Sequence, residues 1–214
     1  MDLGELIRSF VTLWVVVDPI GTVPVFIAAT AGLAAAQRRA VAIRAIIVAA
    51  AVLLFFLIFG QFLLEAMDIS LVSFQIAGGI ILLLFALTMI FGQPKSAGEM
   101  EDIPKDHMQS AVFPLAMPSI AGPGALLAVV LLTDNNRFSV ADQIVTALVL
   151  GAVLIITLLF MLAAAPINKL IGSGGESIIS RVMGMVLAAV AVDAVLNAFA
   201  DLGWINQTLL INGG

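Results

Sequence analysis

Between Arg44 and Glu65 the chain runs for 20 residues, AIIVAAAVLLFFLIFGQFLL, without one charged side chain. As an α-helix such a run is about 30 Å long, the thickness of a bilayer's hydrocarbon core. Comparable runs recur, and the expected spans are 7–31, 43–64, 71–91, 111–133, 143–165 and 179–200. Charged residues make up 11% of the sequence, less than half of the roughly 25% a soluble domain carries. The chain therefore reads as an all-α integral membrane protein with six spans; a membrane barrel would alternate in segments of about ten residues instead. One long hydrophilic stretch, GQPKSAGEMEDIPKDHM at 92–108, divides the sequence. The expected organisation is a first half at 1–91, a linker at 92–110 and a second half at 111–214, within one transmembrane domain.

The net charge of −5, with no basic face, argues against nucleic acid as a partner. The absence of cysteine removes disulfides, iron–sulfur ligation and thiol nucleophiles. The single histidine, His107, lies in the linker beside acids and is not read as a metal site. The start, MDLGELIRSF, carries two acids and one arginine, unlike the basic start of a signal peptide, so the first apolar segment is expected to be a retained span. Arg38, Arg39, Arg44, Lys95, Lys105, Lys169 and Arg181 fall on one side of the expected topology, and only Arg8 and Arg137 on the other. The excess of positive charge marks the cytoplasmic side, which puts both termini outside.

The first and fourth spans are interrupted. VVVDPIGTVPVF (15–26) carries Asp18, Pro19, Gly21, Thr22 and Pro24; PLAMPSIAGPGAL (114–126) carries Pro118, Ser119, Gly122, Pro123 and Gly124. Pro19 and Pro24 have the same spacing as Pro118 and Pro123. A second, weaker correspondence lays 78–90 over 183–195, with Gly79 on Gly184, Leu82 on Leu187, Ala86 on Ala191 and Thr88 on Asp193. Three spans per half is an odd number, so the halves are expected to be inverted repeats, with spans one and four broken at the Pro/Gly motifs. Irregular backbone survives at membrane depth only where it is buried in protein or lines a cavity. Pro24 and Pro123 are expected to start second half-helices whose free N–H groups suit a carboxylate, with the neighbouring glycines giving a ligand close approach to the backbone. Asp18, expected at the C-terminal end of a half-helix, would hold a proton, recruit a cation such as Na⁺ or an ammonium, or cap freed N–H groups of the break. Asp193 is the other acid within a span, and intramembrane acids are candidates for function. Thr88 and Ser119 are candidates to line a path, although helical hydroxyls often bond their own preceding carbonyls.

DPIGTVPVF, FQIAGGIILLLFALTMIFG, PLAMPSIAGPGA and RVMGMVLAAVAVDAVL resemble the signatures of the MarC family, small six-span membrane proteins classed with neutral amino acid transporters. The resemblance covers about residues 6 to 200. It implies transport of glycine, alanine or similar neutral amino acids across an inner membrane. Asp18, Pro19, Gly21 and Pro24 match the first motif of the family, and Pro118, Gly122, Pro123 and Gly124 the second. The chain departs from the pattern at Thr22, where asparagine is frequent, and at Asp193, where glutamine is frequent.

The expectation is thus a secondary transporter of a small zwitterion, not an enzyme, with no cofactor and with coupling to H⁺ or Na⁺ left open. The bilayer is its surroundings, and a homo-oligomer is compatible with the sequence. A channel or a non-transporting membrane partner is the alternative, since broken helices also occur in channels. An intramembrane aspartyl protease built on Asp18 and Asp193 is the least supported, because neither lies in a GxGD context.

Overall fold

The computed structural model describes residues 2–91 and 107–204, and all regular structure among them is helical. The order is α1 (Leu3–Val17), α2 (Thr22–Ala29), α3 (Ala35–Ala66), α4 (Leu71–Phe91), α5 (His107–Ser110), a proline segment (Ala111–Ile120), α6 (Pro123–Leu131), α7 (Val140–Leu162) and α8 (Ala164–Asp201). Among the described residues five stretches are long and apolar enough to cross a membrane: Leu3–Ala29, Ala35–Ala66, Leu71–Phe91, Val140–Leu162 and Ser180–Asp201. The proline segment and α6, bent by 53° to each other, make a sixth if taken together. Lys95 and Lys105 of the linker, and the tail after Trp204, lie outside the described residues.

Local chemistry explains most of the boundaries. α1 starts at Leu3 on a reciprocal cap, with Glu5 N–H donating to Asp2 Oδ1 (2.7 Å) and Asp2 N–H to Glu5 Oε2 (3.0 Å). α3 starts at Ala35 and not at 43, because AAQRRAVA is rich in strong helix formers. α4 coincides with the expected third span. The largest departure is α8, which begins at Ala164, inside the expected fifth span, and runs through 166–178, the stretch left between spans five and six. The GSGG run at 172–175 lies inside this helix. Each glycine inside a helix costs about 1 kcal/mol relative to alanine. Trp204 stacks on Phe199 just beyond α8, with ring centres 5.6 Å apart, as suits an interfacial anchor.

Small residues set how closely the helices approach. In lipid there is no hydrophobic drive between apolar helices, so close contact rests on small side chains and fitted surfaces. Ala42, Ala45 and Ala49 form a fully buried stripe on α3, which packs against the proline segment, α6 and α7. The main core joins this stripe to Leu13 and Val17 of α1, Phe26 of α2, Leu115 and Ile120 of the proline segment, and Val153 and Met161 of α7. A second core joins Leu82 and Ala86 of α4 to Leu187 and Ala191 of α8. Large apolar side chains such as Ile47, Phe59, Phe62, Leu148 and Ile155 point outward, as a hydrocarbon solvent allows.

The α4–α8 contact is antiparallel and reciprocal. A Cβ built on Gly79 would stand 3.0 Å from the Ala191 carbonyl oxygen and 2.7 Å from Val195 Cγ2. One built on Gly184 would stand 3.0 Å from the Ala86 carbonyl oxygen and 3.0 Å from Ile90 Cγ1. Gln75 adds a bond across the pair, its Nε2 donating to the Ala194 carbonyl (2.8 Å).

Polar contacts tie up one end of the bundle. Asn135 N–H donates to Gln61 Oε1 (2.8 Å), Gln143 Nε2 to Asn135 Oδ1 (2.8 Å), and Arg137 pairs with Asp201 (3.0 Å) and Asp134 (3.5 Å). Arg38 and Arg39, at the start of α3, stand with the end of α7 at the other end.

Candidate functional site at the two proline breaks

At the first break α1 stops because Pro19 has no N–H to give the Val15 carbonyl. Asp18 closes the helix: its own N–H donates to the Trp14 carbonyl (3.0 Å) and its backbone is left-handed, φ 49°. Aspartate tolerates that region better than most residues with a side chain. From there its carboxylate turns back over the break, and Oδ1 accepts the Gly21 N–H (2.9 Å). The Asp18 carbonyl accepts both the Thr22 N–H and the Thr22 hydroxyl, each at 3.0 Å, and α2 begins.

Two expectations change here. Pro24 does not open the new helix; α2 starts at Thr22, and Pro24 stands third, still within the first turn where no N–H is required. Nor does Gly21 leave room for a ligand in this structure. A Cβ at Gly21 would overlap Asp18 Oδ2 and stand 2.6 Å from Asp18 Cγ, so the chain's own carboxylate fills that space.

The second break follows related rules. Phe113 and Met117, each followed by a proline, are extended (φ −126°, ψ 128° and φ −127°, ψ 127°), the conformation that proline imposes on its predecessor. Gly122 caps α6 and Pro123 is its first residue, as expected. A Cβ on Gly122 would stand 2.6 Å from the Pro118 carbonyl oxygen, and one on Gly124 2.6 Å from Leu82 Cδ1. These glycines, too, serve the fit of the chain to itself.

The breaks meet. Thr22 Oγ1 lies 3.4 Å from Ser119 Oγ, across 97 positions of sequence. Thr22 has one hydroxyl proton and gives it to the Asp18 carbonyl, so Ser119 is the donor in that contact. Asp18 is 6% exposed and Thr22 1%. Pro19 and Gly122 are also buried, while Ser119 and Pro123 are half-buried and Pro118 is exposed. Among the described residues no cation pairs with Asp18, and its Oδ2 has no hydrogen-bond donor. A buried carboxylate with one oxygen satisfied by an N–H and the other unused can take a proton or a cation there.

The other candidates lie elsewhere. Asp193 is exposed on α8 and its Oδ2 accepts from Asn197 Nδ2 (2.9 Å), one turn on; it makes no bond to either break. Thr88 is exposed and donates to the Phe85 carbonyl (2.7 Å). The sequence reading missed the Gln75 bond to α8 and the Gln61–Asn135–Gln143 chain. Both join residues far apart in sequence, and no local spacing announces them.

The fold defines a multi-pass, all-helical membrane protein with an acid and two hydroxyls gathered at paired proline breaks. The chain belongs to the MarC family of integral membrane proteins, which it matches over residues 3–202. It is 36% identical over 199 residues to a UPF0056 membrane protein of Methanocaldococcus jannaschii, covering 92% of this chain and 97% of that one. It is 31% identical over 196 residues to the UPF0056 membrane protein YvbG of Bacillus subtilis, covering 90% and 92%. It is 30% identical over 197 residues to the UPF0056 inner membrane protein YhgN of Escherichia coli, covering 91% and 96%. No solved structure matches the chain.

Proposed function

We propose that the protein is a secondary transporter of small neutral amino acids, glycine- or alanine-like, in an inner membrane, coupled to H⁺ or Na⁺. The observation that carries this reading is the meeting of the two breaks, at Thr22 and Ser119, beside a buried Asp18 with no cationic partner among the described residues. In this scheme the substrate displaces the Ser119–Thr22 contact. Backbone N–H groups at the start of α6 receive its carboxylate, and Asp18 meets its ammonium or the coupling ion. Asp193, apart from the breaks, would act on coupling through α8 and not by touching substrate. The relative YhgN, an inner membrane protein by name, supports the location. Arg38, Arg39 and Arg44 at one end support a cytoplasmic α2–α3 turn and external termini.

The reading also takes the halves as inverted repeats, and the packing supports that. α1 lies on α7 as the proline segment lies on α3; α6 lies on α4 as α2 lies on α8; α3 pairs with α7 and α4 with α8. A two-fold axis in the membrane plane produces such exchanges, and alternating access would follow from rocking one half against the other.

Counterflow of labelled glycine and alanine in proteoliposomes tests the proposal, with Asp18→Asn beside the unaltered protein. The expected result is exchange by the unaltered protein and its loss in the variant. Absence of exchange for both amino acids, in vesicles where a control carrier works, sinks the substrate class. Unchanged exchange by Asp18→Asn removes the role of the charge, and conductance far above carrier turnover would assign a channel.

A further inference from the structure

At the end of the bundle that holds the α2–α3 turn and the α7–α8 junction there is a half-open cleft of about 140 Å³. Exposed Leu162 of α7 and Ala165 of α8 give it an apolar lining over the buried Phe26 and Met161, and Arg38 and Arg39 of α3 give it charge. Arg38 is half-buried, Arg39 is exposed, and neither has an ion pair or side-chain hydrogen bond among the described residues. The stretches that line the cleft are free of acids: residues 19–64 and 143–175 contain no aspartate or glutamate. The first N–H groups of α3, which begins beside the cleft at Ala35 with no side-chain cap, add positive potential of the same sign.

Two guanidinium groups without a carboxylate partner among the described residues, beside an apolar lining at the end of a membrane bundle, match an amphiphilic anion. A guanidinium fork suits phosphate oxygens in two-point contact. The exposed Leu162 and Ala165 surface suits a hydrocarbon chain. Free phosphate would use the arginines and leave the apolar lining in water. The linker's acids, Glu99, Glu101, Asp102 and Asp106, would supply charge without an apolar face. We propose that this cleft is a binding site for an anionic phospholipid, with the phosphodiester on Arg38 and Arg39 and an acyl chain along Leu162 and Ala165. The site is independent of the transported substrate. Arginine and a phosphodiester both keep their charge from pH 5 to 9, so retention is flat with pH in that range.

The test is native mass spectrometry of the full chain in detergent after exposure to phosphatidylglycerol or phosphatidylcholine. The expected result is selective retention of phosphatidylglycerol, falling roughly fivefold for each of Arg38→Gln and Arg39→Gln. Arg44→Gln, outside the cleft, leaves retention unchanged, and the Arg38→Lys and Arg39→Lys pair, which keeps the charge, retains an intermediate amount. Equal retention of the two lipids overturns the proposal, as does an equal effect of Arg44→Gln. Competition by millimolar inorganic phosphate that fully displaces the lipid reduces the site to a phosphate site and removes the acyl-chain claim. Selectivity that emerges only after neutralising Glu99, Glu101, Asp102 and Asp106 assigns the cleft to the linker and overturns it as well.

Discussion

Gly21→Ala separates a steric requirement from a conformational one. Gly21 has ordinary right-handed backbone angles, φ −68° and ψ −21°, so alanine suits the backbone there. On entropy alone the change would stabilise by about 0.4–1 kcal/mol. What forbids it is the Asp18 carboxylate, whose Cγ would lie 2.6 Å and Oδ1 3.0 Å from the new methyl, with Oδ2 closer still. The carboxylate must swing out and release the Gly21 N–H. Losing a hydrogen bond to a charged group costs about 1.5–3 kcal/mol, and the displaced group crowds a packed interior for about 1–3 kcal/mol more. The expected net destabilisation is roughly 2–5 kcal/mol after the entropic gain. Asp18→Ala deletes the obstacle, so in that background Gly21→Ala becomes neutral or mildly stabilising. Equilibrium unfolding in detergent of both single variants and the double variant gives the coupling directly, and about 2 kcal/mol or more is expected. An equal effect of Gly21→Ala in both backgrounds refutes the account of the first break.

At the α4–α8 crossing, Gly79→Ala and Gly184→Ala each push a methyl to 3.0 Å from a facing carbonyl oxygen, so each is expected to cost about 1–3 kcal/mol by overpacking. The double variant costs less than the sum, because either methyl alone already parts the helices; additive losses in the same unfolding assay count against a shared contact. The Arg137–Asp201 pair, with the arginine side chain 62% exposed, is worth at most about 1 kcal/mol, and a double-mutant cycle should show its coupling fading as salt is raised.

Legibility followed the range of the interactions. The apolar run of α4, ended on both sides by polar or turn residues, has the same limits in sequence and structure. The break motifs were legible because proline acts on its own neighbours: Pro123 opens α6, and Phe113 and Met117 are extended before their prolines. What the glycines accommodate was not legible. Gly21, Gly122 and Gly124 invite a ligand when read alone, yet Asp18, Pro118 and Leu82 occupy their space. The Thr22–Ser119 contact joins residues 97 positions apart, and only the packing of α2 on the proline segment brings it about. Asp193, grouped with Asp18 by composition alone, faces out of the bundle because the α8 side that packs on α4 carries Leu187 and Ala191 instead.

The reciprocal crossing of α4 and α8 has a consequence for balance. Gly79 against Ala191 and Val195, and Gly184 against Ala86 and Ile90, are one contact built twice with its ends exchanged. A rotation about this crossing that tightens one of the two contacts loosens the other. The two helices differ where Thr88 of α4 corresponds in sequence to Asp193 of α8, and Met89 to Ala194, positions that stand apart along the antiparallel pair. Substitution at those unmatched positions can therefore be made one residue at a time without disturbing the glycine contacts themselves.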